Sequence, residues 1–93
     1  MEKPLESPRE TLLEFPCDFP IKVVGRREDG FAQSICGIAQ RHAEDFNPAT
    51  LEMRPSRNAR YLSLTVTINA RSKAQLDALY SELTKHPMVM MVL

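Results

Sequence analysis

The chain lacks tryptophan, has three glycines and two cysteines among 93 residues, and carries no net formal charge. Two tyrosines and four phenylalanines are its only aromatic residues, so its core must be small and mainly aliphatic. This length fits one domain and excludes a multidomain enzyme with a large buried pocket. Twelve basic residues against twelve acidic ones also argue against a protein that holds nucleic acid by bulk charge.

The two cysteines, Cys17 and Cys36, are too few for a disulfide framework and lack the spacing of a zinc site. We therefore expect reduced thiols, no metal and no cofactor. The longest apolar run, residues 88–93, is too short to cross a bilayer, and the N-terminus has no apolar signal-peptide region. These features predict a cytoplasmic protein without a membrane partner.

The N-terminal segment differs in composition from the rest of the chain. Residues 1–18 hold five acidic and two basic residues, a net charge of −3, and include three of the prolines. Such a segment buries too little apolar surface to offset its ordering entropy. We predict a disordered acidic tail over residues 1–14, with a short apolar patch at its end that can dock on the domain, and a single domain over residues 15–93.

Alternation of apolar and polar residues predicts the strands of this domain. The pattern is clearest over residues 61–70, is present over residues 19–24, and is weaker over residues 50–53. Residues 89–93 are apolar on both faces, which predicts a last strand that is buried on each side or covered by another segment.

A period of 3.6 residues predicts two helices. The first is opened by Asp29 and Gly30 and ends near Glu44. The second follows Ser72, which with Gln75 forms a capping-box signal. The resulting order, β-α-β-β-α-β, predicts a ferredoxin-like α+β two-layer sandwich: a four-stranded antiparallel sheet of order 4-1-3-2 with both helices on one face.

Five segments resemble the small bacterial YbeD-like family. They are LLEFPCDFPIKVVG at 12–25, QRHA at 40–43, YLSLTVTINA at 61–70, LYSEL at 79–83 and VMMVL at 89–93. The resemblance implies a fold similar to the ACT domains that bind small effectors on metabolic enzymes, and regulation rather than catalysis. Some members carry a lipoate-regulatory label. One departure is the Arg-Asn-Ala-Arg segment at 57–60, where members carry a Lys-Gly turn, so we do not expect a glycine-dependent turn shape.

The predicted topology brings three basic loops to one end of the sheet. Guanidinium groups bind phosphate or carboxylate, and the start of the first helix would add backbone N–H groups. The alternatives are that the arginines are solvated and keep an edge soluble, or that the acidic tail folds over them. The predicted contact residues are Arg26, Arg27, Arg54, Arg57 and Arg60, with Tyr61 lining the patch, Gly25 and Gly30 shaping the loop, and Lys85 and His86 nearby.

The second sheet face and the histidines suggest other functions. A mixed polar and apolar face beside the last strand, or an exposed edge strand, could support self-association as a homodimer, unless the apolar patch of the tail covers that face. RNA binding is disfavoured because Tyr61 is the only aromatic residue on the third strand. Neither His42 nor His86 is expected to have a Ser, Cys or acid beside it, so we predict no catalysis. The sequence favours a non-enzymatic regulatory or adaptor domain that binds an anionic metabolite or an acidic protein.

Overall fold

Four strands and two helices alternate along residues 14–93, the part of the chain that the computed structural model describes. The strands are β1 (Cys17–Arg26), β2 (Glu52–Pro55), β3 (Tyr61–Ala70) and β4 (Val89–Val92). The helices are α1 (Phe31–His42) and α2 (Lys73–Lys85), and a 3-10 helix spans Pro48–Thr50. All neighbouring strands are antiparallel, and their order β2-β3-β1-β4 confirms the predicted 4-1-3-2 sheet. None of the described helices is long and apolar enough to cross a membrane.

The core lies between one face of the sheet and the two helices. Ile21 and Val23 of β1 pair with Val66 and Leu64 of β3, and all four side chains are fully buried. Alternate residues of each strand face this core because successive side chains point to opposite sides of a sheet. The helices contribute their apolar stripes to the same cluster: Phe31, Ile35, Ile38, Ala39, Leu76, Leu79 and Leu83.

The first helix is shorter than its periodicity predicts. It begins at Phe31, because Gly30 has a left-handed conformation with φ 84°, and it ends at His42. Ala43 is extended, and its side chain is buried in the core while its N–H donates to the carbonyl oxygen of Ala39. The helix thus ends two residues before Glu44, near which its end was predicted, and Ala43 reaches the core without helical backbone.

The second strand starts later than predicted. Residues 50–53 were expected to form it, but β2 is Glu52–Pro55 because the 3-10 helix takes the preceding residues. The side chain of Asn47 accepts a hydrogen bond of 3.0 Å from the Ala49 N–H and so begins that turn. Leu51 follows the 3-10 helix and is half-buried against the core. It is the apolar residue on which the earlier start of the strand was predicted.

Within residues 14–93 the last strand is not buried on both faces, so that alternative is wrong, whereas cover by another segment stays a prediction. Met90 and Met91 are 57% and 48% exposed, whereas Val89 and Val92 are half-buried. The reason is position: β4 lies at the edge of the sheet and pairs with β1 alone. Phe15 is also exposed, and residues 1–13, which hold all but the last residue of the predicted tail and the rest of the apolar patch, lie outside the described residues.

Gly25 lies where β1, α1 and the approach to β4 pack closely together. A Cβ atom at this position would lie 2.3 Å from the carbonyl oxygen of Met88 and 2.5 Å from Cζ of Phe31. Only a glycine therefore lets the first residue of α1 pack on β1 beside the start of β4. This contact determines where the chain leaves β1 and begins the helix.

We expect Gly25→Ala to lower the free energy of unfolding by about 1–3 kcal/mol, because the added methyl group must displace backbone as well as the Phe31 ring. Gly37→Ala is the matched control. Its Cβ would meet nothing within 4 Å, and alanine favours a helix by about 0.5–1 kcal/mol over glycine, so this variant should be more stable. Urea denaturation measures both, and equal effects of the two substitutions would contradict the packing described for Gly25.

Candidate anion-binding edge

One backbone hydrogen bond joins the loop after β1 to the hairpin between β2 and β3. The N–H of Arg27 donates to the carbonyl oxygen of Arg60 over 3.0 Å. Directly beside it, Arg26 and Tyr61 are partners across the β1–β3 ladder. These contacts bring together residues that are 33 and 35 positions apart in the sequence, and they form a shallow depression of about 310 Å³. It is lined by Arg26, Arg27, Glu28, Ala59, Arg60 and Tyr61.

A neighbouring depression of about 570 Å³ extends from Arg27 to the beginning of α1. Gly30 lines it and turns the chain into the helix, and no side chain of the described residues caps the helix there. The N–H of Phe31 donates to the Glu28 carbonyl oxygen, so the first helical amide is already bonded. The lining residues are Arg27, Glu28, Asp29, Gly30, Ala32, Gln33, Ala59 and Leu62.

Most of the charge at this edge is not neutralised within the fold. Arg26 lies 3.9 Å from Glu28 in a loose, exposed pair. Arg27 and Arg60 are exposed and form no ion pair with any residue between 14 and 93. Glu28 and Asp29 both line the depression on the α1 side, whereas Glu28 is the only acidic residue that lines the depression on the hairpin side. We call the group Arg26, Arg27, Arg60 and Tyr61 the arginine edge.

Several predicted site residues lie apart from the arginine edge. Arg54 pairs with Ser63 on the outer sheet face, and Arg57 lies in the hairpin turn; both are exposed, and neither lines the two depressions. Gly25 is buried beneath Phe31, so it shapes the loop by packing. Lys85 and His86 line a separate groove of about 410 Å³ between the two helices.

The hairpin turn adopts a conformation that its sequence does not favour. Ala59 has φ 63°, in the left-handed region usual for glycine, although a glycine-dependent shape was not expected to carry over. Asn58 supports the turn, since its Oδ1 accepts hydrogen bonds from the Arg60 N–H and the Ser56 hydroxyl. The Ser56 hydroxyl oxygen in turn accepts from the Tyr61 N–H. Side-chain hydrogen bonds thus hold a turn that lacks glycine.

Replacing Ala59 with glycine should stabilise the domain by up to about 1 kcal/mol, because glycine adopts this φ without the steric cost of a Cβ atom. Thermal unfolding should show a higher Tm. The control is Ala74→Gly, on the exposed side of α2, which should lower the Tm because glycine weakens a helix. A lower Tm for Ala59→Gly would mean that the turn is not strained.

The structure shows an ion-pair cluster that was not expected from the sequence. Nε2 of His42 lies 2.7 Å from Oε1 of Glu82, and the Arg41 guanidinium pairs with the other carboxylate oxygen. Gln75, one α2 heptad before Glu82, donates from Nε2 to the His42 carbonyl oxygen over 2.7 Å. The expectation that no acid lies beside His42 is therefore wrong. The seven-residue spacing places Gln75 and Glu82 on one side of the leucine stripe. This spacing is the feature of the sequence from which a shared contact with the first helix could have been predicted.

This cluster joins the two helices through one carboxylate. The hydrogen bond with His42, together with Arg41, lowers the pKa of Glu82, which favours a permanent carboxylate over a general acid. His86 uses Nδ1 to accept a 3.1 Å bond from the Met88 N–H. Burial raises the pKa of the Cys36 thiol, which keeps it protonated at neutral pH. Among residues 14–93 no three His, Cys, Asp or Glu side chains form a metal-ligating group.

The stabilising effect of Glu82 should depend on pH. A carboxyl group whose pKa is lowered on folding stabilises the protein above its ordinary value, here 4.5, and loses this effect as pH falls through the folded-state value. Wild type should thus be more stable than Glu82→Gln at pH 6–7, and the difference should shrink below about pH 4.5. Denaturation across pH tests this against Asp77→Asn, which removes one partner of an exposed i,i+4 pair. A difference for Glu82→Gln that is constant with pH would contradict the ion pair.

Comparison with known proteins identifies the family. Residues 10–93 match a family described as "Protein of unknown function (DUF493)". The chain belongs to this family. It is 56% identical over 84 residues to a UPF0250 protein of Nitrosomonas europaea, covering 90% of this chain and 97% of that protein. It is 50% identical over 92 residues to a UPF0250 protein of Ralstonia nicotianae, covering 99% and 95%. The YbeD-like resemblance is confirmed.

Solved structures with this fold are more distant in sequence. A protein from H. pylori superposes with a TM-score of 0.72 at 16% identity, covering 97% of this chain and 98% of that one. The ACT domain of GTP pyrophosphokinase from Chlorobium tepidum gives a TM-score of 0.62 at 23% identity, covering 82% and 84%. These likenesses confirm the ACT-like ferredoxin fold of this DUF493 protein.

Proposed function

We propose that this DUF493 protein is a small, non-enzymatic, cytoplasmic regulatory or adaptor domain that binds an anionic metabolite or an acidic protein at its arginine edge. The observation that carries the proposal is the hydrogen bond between the Arg27 N–H and the Arg60 carbonyl oxygen. It fixes two loops to each other, so that exposed guanidinium groups from separate elements surround one depression. Its ACT-like fold is consistent with a regulatory domain.

The chemistry of the edge fits an anion with several oxygen atoms. A guanidinium group presents a planar fork of N–H donors that matches two oxygens of a phosphate or carboxylate. Arg27 and Arg60 have no competing partner among residues 14–93, so their donors are available to a ligand. Tyr61 adds a half-exposed ring at the margin of the same depression. A phosphorylated metabolite or a cluster of carboxylates on a partner would meet these requirements.

The outer face of the sheet supports this proposal over RNA binding. RNA platforms on such sheets stack bases on two or three aromatic rings of the central strands. On β3 the residues that follow Tyr61 on this face are Ser63, Thr65 and Thr67, all half-buried. They provide no ring on which a second base could stack.

The test uses two probes, inorganic pyrophosphate and a poly-glutamate peptide, titrated into the full ¹⁵N-labelled chain. We expect one of them to shift the amide resonances of residues 26–33 and 59–61, and added salt to reverse the shifts. The double variant Arg27→Ala/Arg60→Ala should bind the active probe about tenfold more weakly or worse, because it loses two charge-assisted donors. Its Tm should stay close to that of wild type, since exposed charges contribute little to stability.

The control variant is Arg71→Ala/Lys73→Ala, which removes the same charge from the opposite end of the sheet. Arg71 and Lys73 already pair with Asp45 and Asp77, each at 3.1 Å. This control should bind the probe nearly as well as wild type. The proposal fails if neither probe shifts the named amides, or if the control weakens binding as much as the edge variant does.

A further inference from the structure

The two edges of the sheet differ in how they are protected. At one edge, β2 carries Glu52, Arg54 and Pro55, all exposed, and proline has no N–H to offer another strand. Charged residues and proline are the usual means by which proteins prevent strand pairing at an edge. The β2 edge is therefore closed to a further strand.

Neither β4 nor Leu93 after it has a charged side chain or a proline. The sequence of β4 is Val-Met-Met-Val, followed by Leu93, which also pairs with β1. Met90, Met91 and Leu93 are 57%, 48% and 61% exposed, and they are three of the six large hydrophobic side chains exposed among the described residues. An uncharged edge strand with exposed apolar side chains is a surface on which another strand can pair.

The backbone of β4 also has a free side. Leu93 exchanges both hydrogen bonds with Lys22, at 2.8 and 3.2 Å. In an antiparallel ladder the next residue, Val92, then points its N–H and C=O away from the partner strand. No strand within residues 14–93 occupies that side of β4. The register between β1 and β4 shifts between Val24 and Gly25, at the beginning of β4. Residues 91–93 are therefore the regular part of this edge on which another strand can pair.

We infer that β4 pairs with β4 of a second copy of this chain, antiparallel about a two-fold axis, to form an eight-stranded sheet. Antiparallel pairing of two identical edges satisfies the outward groups of both strands at once. Because the β2 edge is closed, the assembly stops at two copies and does not extend into a fibre. The uncharged β4 side chains bring no like charges together across the axis.

The same arrangement accounts for the exposed side chains. Met91 is the partner of Val24, and Leu93 that of Lys22, which places both on the outer face of the sheet. With Val92 of one copy opposite Val92 of the other, Met91 of each copy lies beside Leu93 of the second copy, and these side chains leave the solvent. The contact is small, and interfaces below about 1,200 Å² characterise transient complexes, so we expect a dimer that forms reversibly in the micromolar range or above.

Sedimentation of the full chain from about 1 µM to 1 mM, the range for a transient interface, tests the proposal. Wild type should pass from monomer to dimer and form no larger species. Met91→Lys should raise the dimer dissociation constant at least about tenfold, because it places a charged side chain of each copy in this apolar contact. The control is Met53→Lys on β2, a methionine of similar exposure at 59%, which should dimerise like wild type.

Hydrogen exchange of the Val92 amide gives a second readout that needs no substitution. In the dimer this amide is bonded to the partner strand, so its exchange should slow as the protein concentration rises, and should not slow in Met91→Lys. Three results would overturn the inference: a monomer at every concentration, Val92 protection that does not change with concentration, or equal loss of dimer in Met53→Lys. The second result would mean that a segment of the same chain covers the edge. None of these readouts depends on anion binding at the arginine edge.

Discussion

The ring of Phe31 packs against Gly25 at a distance that leaves no room for a methyl group, and the carbonyl oxygen of Met88 closes the same space from β4. Three elements meet at this point: the end of β1, the beginning of α1 and the approach to β4. Their close packing keeps the connection between strand and helix short. Arg27 continues the β1–β3 ladder by one step beyond the Arg26–Tyr61 pair, and its N–H donates to the Arg60 carbonyl oxygen there. The arginine edge thus begins one residue after this apolar contact.

The two helices are held by a different kind of interaction. Their leucine and isoleucine stripes bury most of the apolar surface, but these side chains have little directional preference. The Glu82 carboxylate, bound by both Arg41 and His42, adds an interaction that requires one rotation of α2 relative to α1. The Gln75 hydrogen bond to the His42 carbonyl oxygen fixes the same rotation at a second point and satisfies the end of α1. The apolar core thus holds the two helices together, and these polar contacts fix how α2 is rotated relative to α1.

Local sequence patterns predicted an element correctly where the spacing of nearby residues alone determines its structure. The alternation over 61–70 coincides with β3, and Ser72 caps α2 by accepting from the Gln75 N–H, as predicted. Prediction failed where the outcome depends on distant neighbours. The exposure of Met90 follows from the edge position of β4, and the contact of His42 with Glu82 follows from how two helices are rotated. For the site, topology correctly brought Arg26, Arg27 and Arg60 to one end of the sheet, but whether Arg54 and Arg57 join them depends on side-chain direction in a hairpin.

The arginine edge lies at the ends of the strands, whereas β4 forms a side of the sheet. Two chains paired along β4 would therefore have two separate arginine edges. Val89, the first residue of β4, lies beside Gly25, so β4 starts at the end of the sheet that bears the arginines. Antiparallel pairing along β4 would point two such ends in opposite directions, so one small anion could not bridge them. A pair of chains would instead act as a divalent connector, and a long acidic polymer or a crowded acidic surface would gain avidity that a single metabolite could not.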